Sequence, residues 1–367
     1  MTVLFVLDQL TVGGLQKVNV HVANELGKHL DVKVYSLQNT ANELEVVVPI
    51  IYGENSSFEH RYVQGLKSVN LLYRIANYKN SLIVIRYQVK KLINYIRSNG
   101  VTTIILSGPS ILFITEIKKI APEVNCVIWM HNTYEVYSGN YFLLSKEVFD
   151  ASIKEADKIV CLTHADKLKY LSKNHNTIHI NNPITISNSG KITKLNKKII
   201  SFVGSLNTEQ KGLDYLVEIS KDIPEDWVIH IAGDGKDKKF IEKNITNKLK
   251  LLGSLSGRSL EEHYLNSSIF ISTSRWEGFG LVMTEAMSFG VPIIAFCTDG
   301  ATEILLNGEY GIVIENGDTK KFVSEIQNLI CYKDIQKKYS RKSIERSKDF
   351  EIKDIAKQWI KLIEEIE

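Results

Sequence analysis

Ser274-Arg-Trp-Glu-Gly-Phe-Gly-Leu-Val-Met-Thr-Glu-Ala-Met-Ser-Phe-Gly-Val-Pro-Ile-Ile-Ala295 reads as a loop, a helix and the start of a strand. The run before it, Ser268-Ile-Phe-Ile-Ser272, is short and β-branched, as a buried strand is. Gly278 and Gly280 lead into good helix formers from Leu281 to Phe289, Gly290 and Pro292 stop that helix, and Pro292 to Ala295 opens the next strand. A glycine-bearing loop feeding a helix N-terminus gathers unpaired backbone N–H groups at one point, where an anion is stabilised. Two carboxylates frame that point: Glu277 just before the glycines, and Glu285 about a turn and a half into the helix. Carboxylates repel phosphate, so their natural partners are hydroxyl groups on either side of it. A diphosphate with a sugar at each end, a nucleotide-sugar, fits that arrangement.

Upstream, the same strand–loop–helix pattern repeats. Ile199 to Val203 is a strand, Gly204-Ser-Leu-Asn-Thr-Glu-Gln-Lys-Gly212 a loop, and Leu213 to Lys221 a helix, with Lys211 placed at the helix mouth to neutralise phosphate. Trp227 to Ala232 is a strand ending in the sharp turn Gly233-Asp-Gly235, before a helix over Lys236 to Ile245. Helix Leu260 to Leu265 leads back to the opening stretch. Beyond it come a helix starting at Asp299-Gly-Ala-Thr-Glu-Ile304, a strand over Gly311 to Ile314, and a helix over Asp318 to Ile330. The tail from Phe350 to Ile366 is amphipathic, with Ile352, Ile355, Trp359, Leu362, Ile363 and Ile366 at helical spacing.

The spacing Glu277-x7-Glu285 around Gly-Phe-Gly resembles the donor-site motif of the family-4 retaining glycosyltransferases (glycosyl transferases group 1). The resemblance implies the GT-B fold: two Rossmann-like, doubly wound parallel-sheet domains facing a central cleft. In that family the loop after the first strand of the second domain carries an Arg straight after its Gly and a Lys six residues on. Lys211 keeps the Lys, but Ser205 stands at the Arg position. Either Arg275 supplies the missing cation, or donor binding is weaker. Gly233-Asp-Gly235 also matches a family signature, and Leu251-Leu-Gly-Ser-Leu255 resembles the segment whose backbone meets the nucleobase.

In the first half, Val3 to Leu7 is a strand, Leu10 to Leu15 a loop holding Gly13 and Gly14, and Gln16 to Leu30 a helix with Leu15, Val18, Val22 and Leu26 on one face. Paired glycines there allow close backbone approach to a ligand, but the Gly-x-Gly-x-x-Gly of a dinucleotide fingerprint is absent. Val32 to Leu37 is a second strand. Residues 39–80 are the least legible, and variable loops in that position would set acceptor specificity. Leu82 to Arg97 is a basic amphipathic helix carrying Arg86, Lys90, Lys91 and Arg97, either an ordinary surface helix or a peripheral membrane contact. Thr102 to Leu106 and Cys126 to Met130 are buried strands around a helical stretch, Ile111 to Ile120. Further on, Asp157 to Thr163 and Thr177 to Ile180 read as strands around a helix over Ala165 to Ser172. Ligands of doubly wound sheets sit beyond the C-terminal strand ends, where His131 falls. By resemblance, Gly13-Gly14 matches the loop bordering donor phosphate and acceptor, His131 the histidine that contacts the transferred sugar, and Asn181-Asn-Pro183 the hinge.

At 367 residues the chain has room for two domains, and its 44% apolar and 24% charged content is that of a globular protein. No uninterrupted apolar run approaches the roughly 20 residues of a membrane span. Met1 to Asp8 lacks a basic segment and reads as a core strand, so a signal peptide is not expected. Cys126, Cys161, Cys297 and Cys331 form no metal-type pair and read as buried free thiols of a reducing compartment. The net charge of +3 is too small to argue for nucleic acid. It divides as +4 over residues 1–182 (19 Lys+Arg, 15 Asp+Glu) and −1 over the rest (26 and 27), a mildly basic first half.

The domains expected are 1–182 for the acceptor, 183–349 for the nucleotide-sugar, and 350–367 as a helix crossing back to the first. The reaction implied by the resemblance is glycosyl transfer with retention from a UDP-sugar to a glycan or lipid-linked glycan, in the cytoplasm or at the inner face of its membrane. There is no Asp-x-Asp clamp, so no metal and no other cofactor is expected. Lys211 and the Gly280-Leu281 helix start would stabilise the leaving diphosphate. Glu277 would orient the sugar, Glu285 bind the ribose, and Gly278, Phe279 and Gly280 shape the pocket. A nucleotide-sugar epimerase and a catalytically silent nucleotide-sugar-binding partner subunit are the competing classes. The first needs no acceptor, and the second gives no turnover.

Overall fold

The structure is a computed structural model describing residues 1–11, 13–53 and 81–367, with the backbone alone described over 81–85. From residue 54 onward, the stretch expected to set acceptor specificity lies outside the described residues. The chain divides into two compact units, Met1–Asn181 with Ile352–Glu367, and Asn182–Glu351.

The first unit is built on a seven-stranded sheet: β1 (Thr2–Leu7), β2 (Asp31–Ser36), β3 (Ile50–Tyr52), β4 (Thr103–Leu106), β5 (Asn125–Trp129), β6 (Lys158–Cys161) and β7 (Thr177–His179). Spatial order is β3-β2-β1-β4-β5-β6-β7, and every pairing is parallel. Parallel strands covered on both faces are apolar almost continuously, and Val3 to Leu7, Ile104 to Leu106 and Cys126 to Trp129 are fully buried. Strand order reverses between β1 and β4, the switch point at which such sheets bind ligands.

The second unit repeats the plan with β8 (Ile199–Val203), β9 (Val228–Ala232), β10 (Leu249–Gly253), β11 (Ile269–Ser272), β12 (Ile293–Phe296) and β13 (Ile312–Ile314). The order β10-β9-β8-β11-β12-β13 is again parallel throughout, with its switch point between β8 and β11. Its core gathers Ile200, Phe202, Ile229, Ile231, Ile271 and Ile294 from the strands with Leu216, Ile219 and Phe322 from the helices.

Several expectations are corrected. The first helix spans Gly14–Leu26, not residues 16–30; Gly27 ends it, donating to the carbonyls of Ala23 and Glu25. The basic helix, Ser81–Ser98, buries Val89, Leu92, Ile93 and Ile96 in the core of the first unit. Three of its four cations have protein partners: Arg86 lies 3.6 Å from Glu116, Lys91 donates to the Gly53 carbonyl at 2.9 Å, and Arg97 donates to the Ile120 carbonyl at 2.5 Å, while Lys90 is exposed. Its apolar face is therefore core, not a surface offered to lipid. Residues 184–198 are strapped to the second unit instead of hanging as a linker. Thr193 donates to the Ser267 carbonyl at 2.6 Å, and Asn188 caps the carbonyl of Ser288. Cys297 and Cys331 are exposed, because one follows the end of β12 and the other ends a helix; Cys126 and Cys161 are buried. No helix among the described residues is long and apolar enough to cross a membrane.

The last helix, Ile352–Ile366, packs on helix Gly14–Leu26 of the first unit. Its Trp359 is fully buried against Trp129, with ring centroids 4.6 Å apart, and Glu367 accepts from the Thr103 hydroxyl at 2.7 Å.

Candidate active site

In the second unit, the loops after β8, β9 and β11 meet at the C-terminal edge of the sheet. The turn after β9 and the loop after β8 are in backbone contact. Gly204 N–H donates to the Ala232 carbonyl at 3.0 Å, and Leu206 N–H to that of Asp234 at 2.9 Å. A Cβ on Gly233, whose φ is +155°, would lie 1.8 Å from the Gly204 carbonyl oxygen. The Gly-Asp-Gly turn thus exists to let two loops touch. Asp237 then accepts from Thr208 N–H at 2.7 Å, at the start of the short helix Thr208–Lys211 that delivers Lys211.

The Lys211 ammonium forms an ion pair with Oε1 of Glu277, which also accepts from the Ser274 hydroxyl at 2.6 Å. The lysine comes from the loop after β8 and the glutamate from the loop after β11, so the pair straddles the switch point. Both side chains are about nine-tenths buried, with 11% and 9% exposure. Burial strengthens the attraction and fixes both groups.

Past Glu277, Gly278 and Phe279 are buried, and Gly280 caps helix Leu281–Ser288 with φ +105°, a conformation that favours glycine. Leu281, the first helical residue, is partly exposed. Behind this loop, a Cβ on Gly300 would fall 2.1 Å from the Phe279 carbonyl oxygen, so helix Asp299–Ile304 braces the loop backbone to backbone. The sequence showed Gly300 only as a helix-start residue; its neighbour Thr298, the N-cap, was the available signal. Glu285 is buried on the helix and accepts from two hydroxyls, Thr185 at 2.8 Å and Tyr264 at 3.3 Å. Burial, and then the charge of Glu285, push the Tyr264 phenol well above its ordinary range, so it stays a donor.

Arg275 does not replace the cation missing at Ser205. Its guanidinium grips Asp214 bidentately at 2.6 and 3.0 Å, donates to the Thr208 carbonyl at 2.7 Å, and stacks 4.2 Å over the Tyr215 ring. Ser205 itself is exposed, and Leu255 is half-buried in the loop after β10.

In the first unit, Gly13 and Gly14 sit where β1 gives way to helix Gly14–Leu26. Gly13 is extended (φ −167°), and a Cβ there would press most closely on the flexible end of Gln16. The chain's own packing therefore does not demand this glycine. His131 follows β5, partly exposed, its ring 4.5 Å from that of Trp129. Its Nε2 lies 2.9 Å from Asn19 Nδ2, and its backbone N–H donates to the Tyr137 hydroxyl at 3.1 Å. Burial pushes the imidazole pKa down to about 3, so the ring is neutral. Asn19 was missed: it shares a helix face with Val18 and Val22, where asparagine has no sequence signal.

Residues 186–346 match the model of the family described as glycosyl transferases group 1. An uncharacterized glycosyltransferase of Haemophilus influenzae is 28% identical over 97% of both chains. A Campylobacter jejuni enzyme named GalNAc-alpha-(1->4)-GalNAc-alpha-(1->3)-diNAcBac-PP-undecaprenol alpha-1,4-N-acetyl-D-galactosaminyltransferase is 22% identical over 100% of this chain and 99% of its own. Among solved structures, Anabaena HepE in complex with UDP-glucose superposes with a TM-score of 0.75 at 16% identity, covering 100% of each chain. The chain thus has the GT-B fold, and its residues 186–346 match the group 1 glycosyl transferases.

Proposed function

We propose that the protein is a retaining glycosyltransferase that moves a sugar from a UDP-sugar to a hydroxyl of a glycan, such as a lipid-linked or cell-surface polysaccharide precursor. The observation that carries this reading is the buried Lys211–Glu277 pair at the β8/β11 switch point, beside a glycine-capped helix start and a hydroxyl-held Glu285. A cation and helix N–H groups suit a diphosphate, and two carboxylates suit the hydroxyls flanking it. HepE with UDP-glucose supports the donor, and the undecaprenol-linked acceptor named for the Campylobacter relative supports the acceptor class.

The acceptor oxygen attacks the anomeric carbon from the face that the phosphate leaves, as the carbon–phosphate-oxygen bond breaks. The hydroxyl proton passes to the departing phosphate oxygen. Lys211 and the helix start at Leu281 stabilise the charge that develops there, a preorganised role. Glu277, held by Lys211 and Ser274, orients the sugar, and Glu285 binds the ribose hydroxyls. His131, from the first unit, acts on the transferred sugar. No residue of this scheme requires a metal. Any membrane contact by helix Ser81–Ser98 would be electrostatic, since its apolar face is core.

The commitment of Arg275 to Asp214 favours a second reading, a protein that binds nucleotide-sugar without transferring it, because one phosphate-binding cation is not replaced there. A thermal-shift and hydrolysis screen against UDP-, GDP-, ADP- and dTDP-sugars, with and without EDTA, separates the two. A single stabilising UDP-sugar, slowly hydrolysed at the same rate in EDTA, is the expected result. Nucleotide binding without turnover would favour the silent protein, and conversion of the sugar without acceptor the epimerase. Loss of turnover in EDTA would overturn the metal-free scheme.

A further inference from the structure

Asn19 lies fully buried on helix Gly14–Leu26 and joins two strand-end loops of the first unit, those after β4 and β5. Its Nδ2 donates to the Leu15 carbonyl at 2.9 Å and faces His131 Nε2 at 2.9 Å; its Oδ1 accepts from the Ser107 hydroxyl at 3.1 Å. The direction of this amide is determined by its neighbours. The Leu15 carbonyl can only accept, so the NH2 end must face it, and with it His131. Ser107 agrees, since its oxygen takes part in a capping box with Ser110, leaving its O–H to donate to Oδ1. An N–H aimed at Nε2 requires a lone pair there, so the imidazole proton must sit on Nδ1.

We propose that Asn19 is a positioning residue that holds His131 as the neutral Nδ1–H tautomer, so that the imidazole serves the transferred sugar as a hydrogen-bond donor and never as a base. With Nε2 engaged by Asn19, the ring offers an incoming ligand only Nδ1–H, for which the described residues provide no partner. A sugar hydroxyl oxygen is the complementary acceptor. Among the described residues, Asn19 from the first helix and Trp129 from β5 meet the ring, Tyr137 meets the backbone N–H of His131, Ser107 lies behind Asn19 and Trp359 behind Trp129; none of these carries formal charge in the neutral range. The downward shift of the imidazole agrees, its cause being burial.

The inference rests on the transferase reading for its kinetic consequence only. The tautomer is read directly from long-range proton–nitrogen correlation spectra of the full chain labelled with nitrogen-15 histidine, His131 being assigned by the spectrum of His131→Gln. The wild type is expected to show the Nδ1–H pattern, unchanged from neutral pH down to about 5. A carboxylate at residue 19 can only accept, so Asn19→Asp should move the proton to Nε2 and bring His131 into the titratable range. In that variant turnover should fall about 10–100-fold, the size of effect seen when a partner that orients a metal-bound histidine is disturbed, with little change in donor KM. A wild-type Nε2–H pattern, or a midpoint near the ordinary 6.5, overturns the proposal whether or not Asn19→Asp folds. So does an Asn19→Asp enzyme that loses turnover with its tautomer unchanged. Failure of every nucleotide-sugar to turn over would defeat the transferase reading while leaving the spectra to decide this one.

Discussion

At the residue scale, the chemistry depends on a few side chains whose partners restrict what they can do. Glu285 is anchored by Thr185 and Tyr264, so its carboxylate is presented in one place. Glu285→Ala should abolish useful donor binding, read as loss of nucleotide-sugar-induced thermal shift; unchanged kinetics would refute the ribose assignment. His131 makes a second prediction, on stability. Its pKa falls from 6.5 to about 3 on folding, so the unfolded chain binds the extra proton and acid favours unfolding. Stability carried by the neutral ring is present above about pH 6.5 and lost as pH falls toward about 3. Urea unfolding of wild type and His131→Gln should show a shallower acid decline in the variant; parallel curves would contradict the burial effect. Glu277 and Lys211 were singled out in the sequence beside glycines after strands, Glu285 by its spacing into the next helix, and His131 by its place directly after a strand. Asn19 was not, because its role comes from two distant loops that only the fold brings to it. The fate of Arg275 was hidden for the same reason.

At the element scale, the strand and helix order was legible from alternating β-branched runs and helical spacing, with ends displaced by a few residues where caps decided. The helix Lys333–Ser347 escaped notice altogether. Its buried face is polar: Gln336 donates to the Ser268 carbonyl at 3.1 Å, Ser343 to that of Val291 at 2.9 Å, and Arg346 to those of Ile304 and Glu303 at 2.9 Å each. It docks by satisfying the carbonyl ends of other elements, and periodicity of apolar residues cannot reveal that. The turn after β9 allows a direct test. Gly233→Ala would force either Gly204 or the turn itself to move, at a cost of about 1–3 kcal/mol for the strained backbone, with the close contact adding to it. Thermal unfolding should register the loss, and donor binding should weaken because Lys211 follows the displaced loop. A variant of full stability and affinity would show that the loop contact is dispensable.

At the scale of the whole molecule, the chain leaves its first unit after Asn181 and returns to it at Ile352. Within the second unit its two ends are paired, for Ile184 N–H donates to the Phe350 carbonyl at 2.9 Å. Trp359 is the anchor of the return. Trp359→Ala should destabilise the first unit by about 3–5 kcal/mol, the usual range for deleting a buried tryptophan side chain. Calorimetry that resolves the two units should show one transition falling and the other unmoved; a shift of both or neither would contradict the division. The amphipathic tail was plain in the sequence, but its partner Trp129 was hidden as one more apolar residue in a strand.

That return has a consequence in time as well as in space. A chain made from its N-terminus exposes the first sheet early, yet the helix that covers Trp129 is made only after the whole second unit. The second unit, made entirely before that helix, can finish folding while the ribosome still holds the end of the chain. Domains usually mature in the order they are made; here the unit begun first should be completed after the one begun second. Protease probing of ribosome-stalled nascent chains should find the later unit resistant and the earlier one still open.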